Sequence, residues 1–380
     1  MNAEAGISQA FIRQYNIQRV VSMLETCQTL TRTDIARIAD ISPASVTRIV
    51  GALNALGLIE EVSSAATGPG RKAVEIRPKA GGLYTVGFHI GVNALYMCVM
   101  DFTKMARTYT FEPMNSEGIT PESVAALAGR MLKQLEAGAQ PYADRIQEIG
   151  VTVSGQVDAN SGNVIRSEVF NWSQVALGKI FESVVGLPTR VENDVKGCLT
   201  WEKKHRNVPD AQDMAYLYIG HSGIGFANMV AGSIVRGRDN STGEIESTHF
   251  MANDSLENHL MSREIMRRAK AVSPGVKSLS DILTARKMGL TWAITLTDDF
   301  LWYLHTIFTA IQALLDPHLI ILGGDVPLAF QDLPGLLPDE HYILGDRFEE
   351  SCAMGAAMIA MHDAVERRIS NLLENRSGGV

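Results

Sequence analysis

Two groups of side chains in this sequence have the types and spacing for recognition chemistry. The first is Ala44, Ser45, Thr47 and Arg48, short or basic groups that share one face near the start of a helix and can touch base edges or phosphates in a DNA major groove. Ser42 fits the N-cap of that helix, and Pro43 suits its first position because the missing N–H would have no partner there. Further on, Arg71 and Lys72 end a Gly-Pro-Gly-Arg-Lys tip over 68–72, two cations placed to reach a phosphate or a minor groove. The second group is Asn193-Asp194, directly after an apolar run that reads as a strand. A carboxylate flanked by an amide can fix two neighbouring hydroxyls, because each hydroxyl both donates and accepts. The same pair also fits a strand-end turn or a helix cap, and Arg71 and Lys72 also fit solvated loop charges.

Holding the first group in place requires a small domain, and residues 16–78 supply one. Ile17, Val20, Val21 and Leu24 lie on one face of a 3.6-period helix. Thr31 with Asp34 three residues later forms a capping pair for a second helix over 32–39, and Asp40 and Ile41 make the turn. The third helix starts at Pro43, ends at Gly57 and buries Val46, Ile49, Val50, Leu53 and Leu56. Short strands over 58–62 and 73–76 flank the cationic tip, which completes a winged helix-turn-helix over 1–80. These 80 residues hold nine Lys and Arg against seven Asp and Glu, a net +2, which leaves −10 on the rest of a chain whose total is −8. Attraction for DNA is thereby confined to the head, and nonspecific coating of nucleic acid is disfavoured.

With 380 residues, 46% of them hydrophobic and 20% charged, the chain can bury large cores and is no disordered scaffold. From residue 83 onward strand-like runs at 83–90, 96–101, 149–153, 189–191, 214–219 and 319–322 alternate with helical stretches at 122–136 and 298–315, an α/β pattern. The 78–82 stretch reads as the boundary between head and body. Cys27, Cys98, Cys198 and Cys352 are scattered singly, which suits buried thiols in a reducing compartment and neither a metal knuckle nor a disulfide framework. No basic, apolar, small-residue order marks the N-terminus and no apolar run approaches the roughly 18 residues needed to span a bilayer, so a cytoplasmic protein without a membrane partner is expected.

The body resembles the ROK family, particularly its NagC/Mlc/XylR-type transcription factors. The resemblance rests on GVTVSGQVD over 150–158 followed by Gly162, on VENDV over 191–195, on Gly223 and Gly225 with Gly232, Gly237 and GEI over 243–245, and on DPHLIILGG over 316–324. It covers nearly the whole chain, and the winged segment fits the family's regulators. It implies an actin-like, ribonuclease-H-like domain of the sugar-kinase type, with a first lobe over 81–195 plus 353–380 and a second over 196–352 closing on a sugar. A C-terminal helix around 353–369 returns to the first lobe. It further implies that Asn193 and Asp194 bind the sugar, that Glu244 is another sugar contact and Glu257 a third, and that in the kinases the Asp is the general base.

The sequence departs from the kinases where phosphoryl transfer is most demanding. Their first phosphate loop resembles Asp-x-Gly-Gly-Thr-Lys, whereas this chain reads His89-Ile90-Gly91-Val92-Asn93-Ala94, without the acid, one glycine, the hydroxyl and the cation. Phe226 and Ala227 stand where the second loop usually has glycines. Many members also hold a structural zinc, but no cysteine occurs between Cys198 and Cys352, and His249 with His259 would supply only two of about four ligands. The expectation is therefore a non-enzyme without cofactor or metal: a sugar-responsive DNA-binding regulator, with repression the commoner family pattern. Its partners would be operator DNA and a sugar or sugar phosphate effector, bound as a homodimer or dimer of dimers. The competing readings are a sugar kinase with an appended head, and a constitutive DNA-binding protein whose pocket is vestigial or binds a protein.

Overall fold

The computed structural model describes residues 9–26, 29–63, 74–115, 118–138, 140, 142–209, 211–221, 223–245, 249–251 and 254–377. The chain divides into two compact units. One comprises Met1–Val151, Gly178–Arg190 and Ala356–Val380, the other Thr152–Leu177 and Val191–Gly355.

The head lies in the first unit and consists of α1 (Gln9–Thr26), β1 (Leu30–Thr31), α2 (Arg32–Ala39), α3 (Pro43–Ala55), β2 (Ile59–Ser63) and β3 (Val74–Pro78). Both bonds of the Thr31–Asp34 capping box are present: Thr31 Oγ1 accepts from Asp34 N at 3.1 Å and Asp34 Oδ2 accepts from Thr31 N at 3.2 Å. Asp40 ends α2 at φ 51°, so its N–H reaches back to Ala36 O and turns the chain into α3. The wing strands pair from Ile59↔Pro78 to Ser63↔Val74, and β1, which the sequence reading missed, pairs with β3. Ile17, Val20, Leu24, Ile35, Val46, Val50 and Leu53 bury completely or nearly so.

The head does not stop at residue 80. Its core continues into Leu83, Phe102, Met361, Ala364, Val365 and Ile369. The stretch expected to be a linker is packed: Lys79 N donates to Leu58 O at 2.8 Å, and a Cβ at Gly82 would lie 2.4 Å from Gly57 O. Three short helices bury too little apolar surface alone, and the body supplies the rest.

The chain continues through β4 (Tyr84–Ile90), β5 (Ala94–Asp101), β6 (Ala106–Pro113), α4 (Pro121–Ala137) and β7 (Ile146–Val153), then β8 (Gln156–Asp158), β9 (Asn163–Ser167), β10 (Trp172–Val175), α5 (Leu177–Val185) and β11 (Thr189–Asn193). The first sheet has the order β11-β7-β4-β5-β6, and β10-β9-β8 form a small sheet of the second unit. Every residue of β4 is buried, the polar Thr85 and His89 included, and Thr85 Oγ1 donates to Ala357 O at 2.8 Å.

In the second unit follow α6 (Asp194–His205), β12 (Met214–Ile219), β13 (Ile224–Val230), β14 (Ser233–Ile234), β15 (His249–Met251), β16 (Asp254–Ser255), α7 (Glu257–Leu260), α8 (Ser262–Val272), α9 (Leu279–Lys287), α10 (Thr291–Leu315), β17 (Leu319–Gly323), α11 (Asp325–Ala329) and β18 (Tyr342–Leu344). The sheet order β14-β13-β12-β17-β18 combines parallel β12, β17 and β18 with antiparallel β13 and β14. Of the stripe Leu301, Leu304, Ile307, Phe308, Ile311 and Leu315 that the spacing predicts on α10, Leu304, Ile307, Phe308 and Ile311 are in its core beside Phe300, Leu301 packs against it half-buried, and Leu315, the last residue of the helix, is exposed. The helix begins seven residues before the expected 298, because Thr291, Thr295 and Thr297 mask its apolar period. A last helix, α12, runs from Phe348 to Ser377.

Within the first unit β7 and α12 meet without side chains between them. A Cβ at Gly150 would lie 1.9 Å from Ala356 O. Gly150→Ala is expected to cost about 1–3 kcal/mol through overpacking, seen as a lowered melting temperature of the full chain.

Candidate functional site

The Asn193-Asp194 pair lies where β11 turns into α6, and the local geometry explains the turn. Asn193 is the N-cap at φ −61° and ψ 141°, and its Oδ1 accepts from Lys196 N at 3.1 Å. Its Nδ2 donates to Gly155 O at 3.0 Å and to Asp194 Oδ1 at 3.1 Å. Asp194 Oδ1 also accepts from Val195 N at 2.8 Å. Asp194 is 7% exposed. Burial pushes its carboxyl up to about 7, the nearby Glu244 charge adds to that rise, and the Val195 N–H and Lys196 oppose it.

Glu244 is brought near Asp194 by a loop that only glycine can make. Gly243 sits at φ 103°, and a Cβ there would lie 1.9 Å from Phe226 O. The loop is tied down by Lys196 Nζ, which donates to Asn240 O at 3.3 Å, and by Gln156 Nε2, which donates to Asp239 O. Glu244 is exposed at its edge yet crowded enough that desolvation raises its carboxyl, with Glu168 adding and Lys196 opposing. Glu257, the first residue of α7, is half-buried and makes no contact with Asn193, Asp194 or Glu244 among the described interactions.

Sequence reasoning missed the charges beneath this pair. Lys196 is 2% exposed, and burial depresses its ammonium against the opposing pull of Glu192 and Glu244. Glu192 is equally buried and paired with Arg236. Lysine and glutamate are ordinarily surface residues, so their position beside Asn193-Asp194 was the only available signal.

The stretches that the family resemblance sets beside phosphate loops hold glycines with structural contacts of their own. Gly91 N donates to Ala94 O at 3.0 Å, closing the turn between β4 and β5, and a Cβ at Gly91 would lie 2.9 Å from the Tyr96 ring. Val92 projects at 41% exposure. In the second unit Phe226 and Ala227 are core residues, and Cβ atoms at Gly220 and Gly323 would lie 2.1 Å from Tyr218 Oη and 1.8 Å from Tyr216 Oη. Gly324, at φ 104°, starts α11 against Ile219 O. These glycines are accounted for by tyrosine packing and a strand-to-helix turn.

His259 stacks on Tyr303 at 3.7 Å and its Nδ1 is 2.7 Å from Asp299, which also holds Arg268. Among the described residues no three His, Cys, Asp or Glu side chains gather for a metal, and Cys98, Cys198 and Cys352 are buried free thiols. Cys27 lies outside the described residues, and only the backbone of His249 is described. Among the described residues no helix is long and apolar enough to cross a membrane.

On the head, Ser42 caps α3 by accepting from Ser45 N at 3.2 Å, and Thr47 Oγ1 donates to Pro43 O. Ala44, Thr47 and Arg48 are exposed and Ser45 is half-buried. Arg48 Nη2 donates to Ser45 Oγ at 3.3 Å, so the guanidinium is held along the exposed face. Arg71 and Lys72 lie outside the described residues.

Known proteins resemble this chain over most of its body. It is 21% identical to the xylose repressor of Caldicellulosiruptor bescii over 66% of this chain and 62% of that one. With the DNA-binding transcriptional dual regulator NagC of Escherichia coli it shares 25% identity over 62% of this chain and 57% of the relative. The match therefore spans less than two thirds of these two relatives. Among solved structures, a ROK family transcriptional regulator described as a homologue of the E. coli Mlc protein superposes with TM-score 0.77 at 23% identity, covering 95% of this chain and 99% of that one. A ROK family glucokinase from Streptomyces griseus, solved with glucose and AMPPNP, superposes at 0.59 and 18% identity over 73% of this chain and 99% of its own. These likenesses carry the actin-like, sugar-kinase-type fold. The sequence model of the ROK family matches residues 85–337, the greater part of the chain, and the protein belongs to the ROK family.

Proposed function

We propose that this protein is a DNA-binding transcriptional regulator, a repressor by the analogy of its named relatives, that senses a sugar or sugar phosphate without phosphorylating it. The observation that carries the reading is a contrast. Asn193 and Asp194 are hydrogen-bonded neighbours with Glu244 within electrostatic reach, while the Gly91 amide is taken by Ala94 O. Hydroxyls can be held here, and a triphosphate lacks its cradle. Ser45, Thr47 and Arg48 of α3, with Arg71 and Lys72 at the wing, are the proposed contacts to operator DNA, and a homodimer would present two heads to two half-sites. Glu257 is a proposed further sugar contact.

A kinase reading draws on one specific observation, since a carboxyl raised to about 7 suits a general base. A coupled ATP-consumption assay over hexoses, amino sugars and pentoses, run beside gel shifts with fragments of the protein's own genome, separates the two. The expected result is saturable, salt-sensitive DNA binding and no turnover. Turnover that is lost in Asp194→Asn would overturn the regulator reading.

A further inference from the structure

We propose that α12 is the element through which the Asn193-Asp194 site acts on the DNA-reading head. This rests on the sensor reading above and concerns the regulation of that same site. The helix is 30 residues long and contains no proline. It belongs to the second unit up to Gly355 and to the first from Ala356.

At its start α12 lies directly against α6. The Cys352 thiol donates to the backbone carbonyl of Asp194 at 3.3 Å, so the residue that offers a carboxylate to a ligand also holds α12. One turn on, a Cβ at Gly355 would lie 1.9 Å from Gly197 O. No compliant side chain stands between the two backbones there, so a shift of α6 passes to α12 and is not absorbed by rotamer changes.

At its other end the same helix is part of the head's core. Met361, Ala364, Val365 and Ile369 are all 3% exposed or less and pack with the buried faces of α1 and α3. Gln18 Nε2 of α1 donates to Glu366 at 2.9 Å, and Arg367 is paired with Glu148 of β7. The head cannot keep this packing if α12 moves alone. An unbroken ladder of i to i−4 hydrogen bonds makes such a helix stiff along its axis. A ligand that binds one position of the first turn of α6 better than another therefore selects a head position, which is what an allosteric effector must do.

The test is amide hydrogen exchange of the full-length protein without ligand or DNA. Gly355→Ala inserts a methyl group against Gly197, and the three atoms nearest its Cβ all belong to that residue. Gly345→Ala is the control, equally within the second unit but against Tyr216 Oη at 2.8 Å. Exchange of the Val20, Val21, Leu24, Val50 and Leu53 amides should rise about fivefold or more in Gly355→Ala and stay unchanged in Gly345→Ala. Head exchange unaltered by Gly355→Ala, or raised equally by the control, overturns the proposal. Should Gly355→Ala not fold, Cys352→Ala, which deletes the donor to Asp194 together with a buried sulfur of the second unit's core, is read by the same criterion at roughly twofold. Because neither effector nor operator is used, failure here leaves the sensor reading standing, and failure of the gel shift leaves this coupling standing.

Discussion

Arg48→Ala is expected to weaken operator binding by about 1–3 kcal/mol, roughly ten- to hundredfold, with the melting temperature almost unchanged. The stability half of the expectation follows from exposure: Arg48 packs against nothing in the head core, and its one described bond goes to the Ser45 hydroxyl. The binding half follows from that bond. Ser42 orients Ser45 through the cap, and Ser45 orients the guanidinium, so little side-chain freedom remains to be lost on docking. Fluorescence anisotropy against salt concentration distinguishes two roles. A phosphate contact lowers the salt slope by about one and weakens all sequences alike, whereas a base contact relaxes preference at one position. Unchanged binding would remove α3 as the reader. Ser45→Ala should give a smaller loss of the same kind.

The head was the most legible part of the sequence, because its signals are local. Thr31, Asp34, Ser42 and Pro43 each act within four residues, and α2 and the start of α3 fall where they predict. What could not be read was that the head lacks a closed core, since Val365 and Ile369 are some 300 residues from the positions they cover. The candidate site divides in the same way. Asn193-Asp194 and the Gly243-Glu244 turn are marked by residue type and by the family resemblance, and the structure brings Asp194 and Glu244 within electrostatic reach. Lys196 and Glu192 carry no such mark. A buried charge is recognisable only from the partners that make burial tolerable, and Asn240 and Arg236 lie 44 residues downstream of them. The strands β8, β9, β10 and β13 escaped notice as well, being short or carrying polar residues that suit one face of a small sheet.

Protonation of Asp194 should be visible in the stability of the whole protein. Its carboxyl stands at about 7 in the fold against an ordinary 3.8, so the native state holds this proton more tightly than the unfolded chain does. The contribution is therefore fully present below about pH 4 and is lost as pH rises through about 7, with a slope approaching 1.4 kcal/mol per pH unit in between. Glu148 changes stability in the same direction, since burial raises it to about 7 despite its pairing with Arg367. Asp194→Asn isolates the first share. The amide oxygen can still accept from Val195 N and Asn193 Nδ2, so the two bonds of Oδ1 survive and only the titration is removed. Thermal unfolding at about pH 4 and pH 8 should show the variant close to wild type at the lower value and several degrees more stable at the higher one. The same variant should bind a sugar effector at least about tenfold more weakly at pH 8, because a charged acceptor contributes about 1.5–3 kcal/mol to a hydroxyl bond and the amide much less. Equal pH slopes in variant and wild type would mean that Asp194 does not titrate in this range. A variant stabilised at pH 8 with undiminished effector affinity would instead leave the buried carboxylate as a structural feature and move the ligand elsewhere.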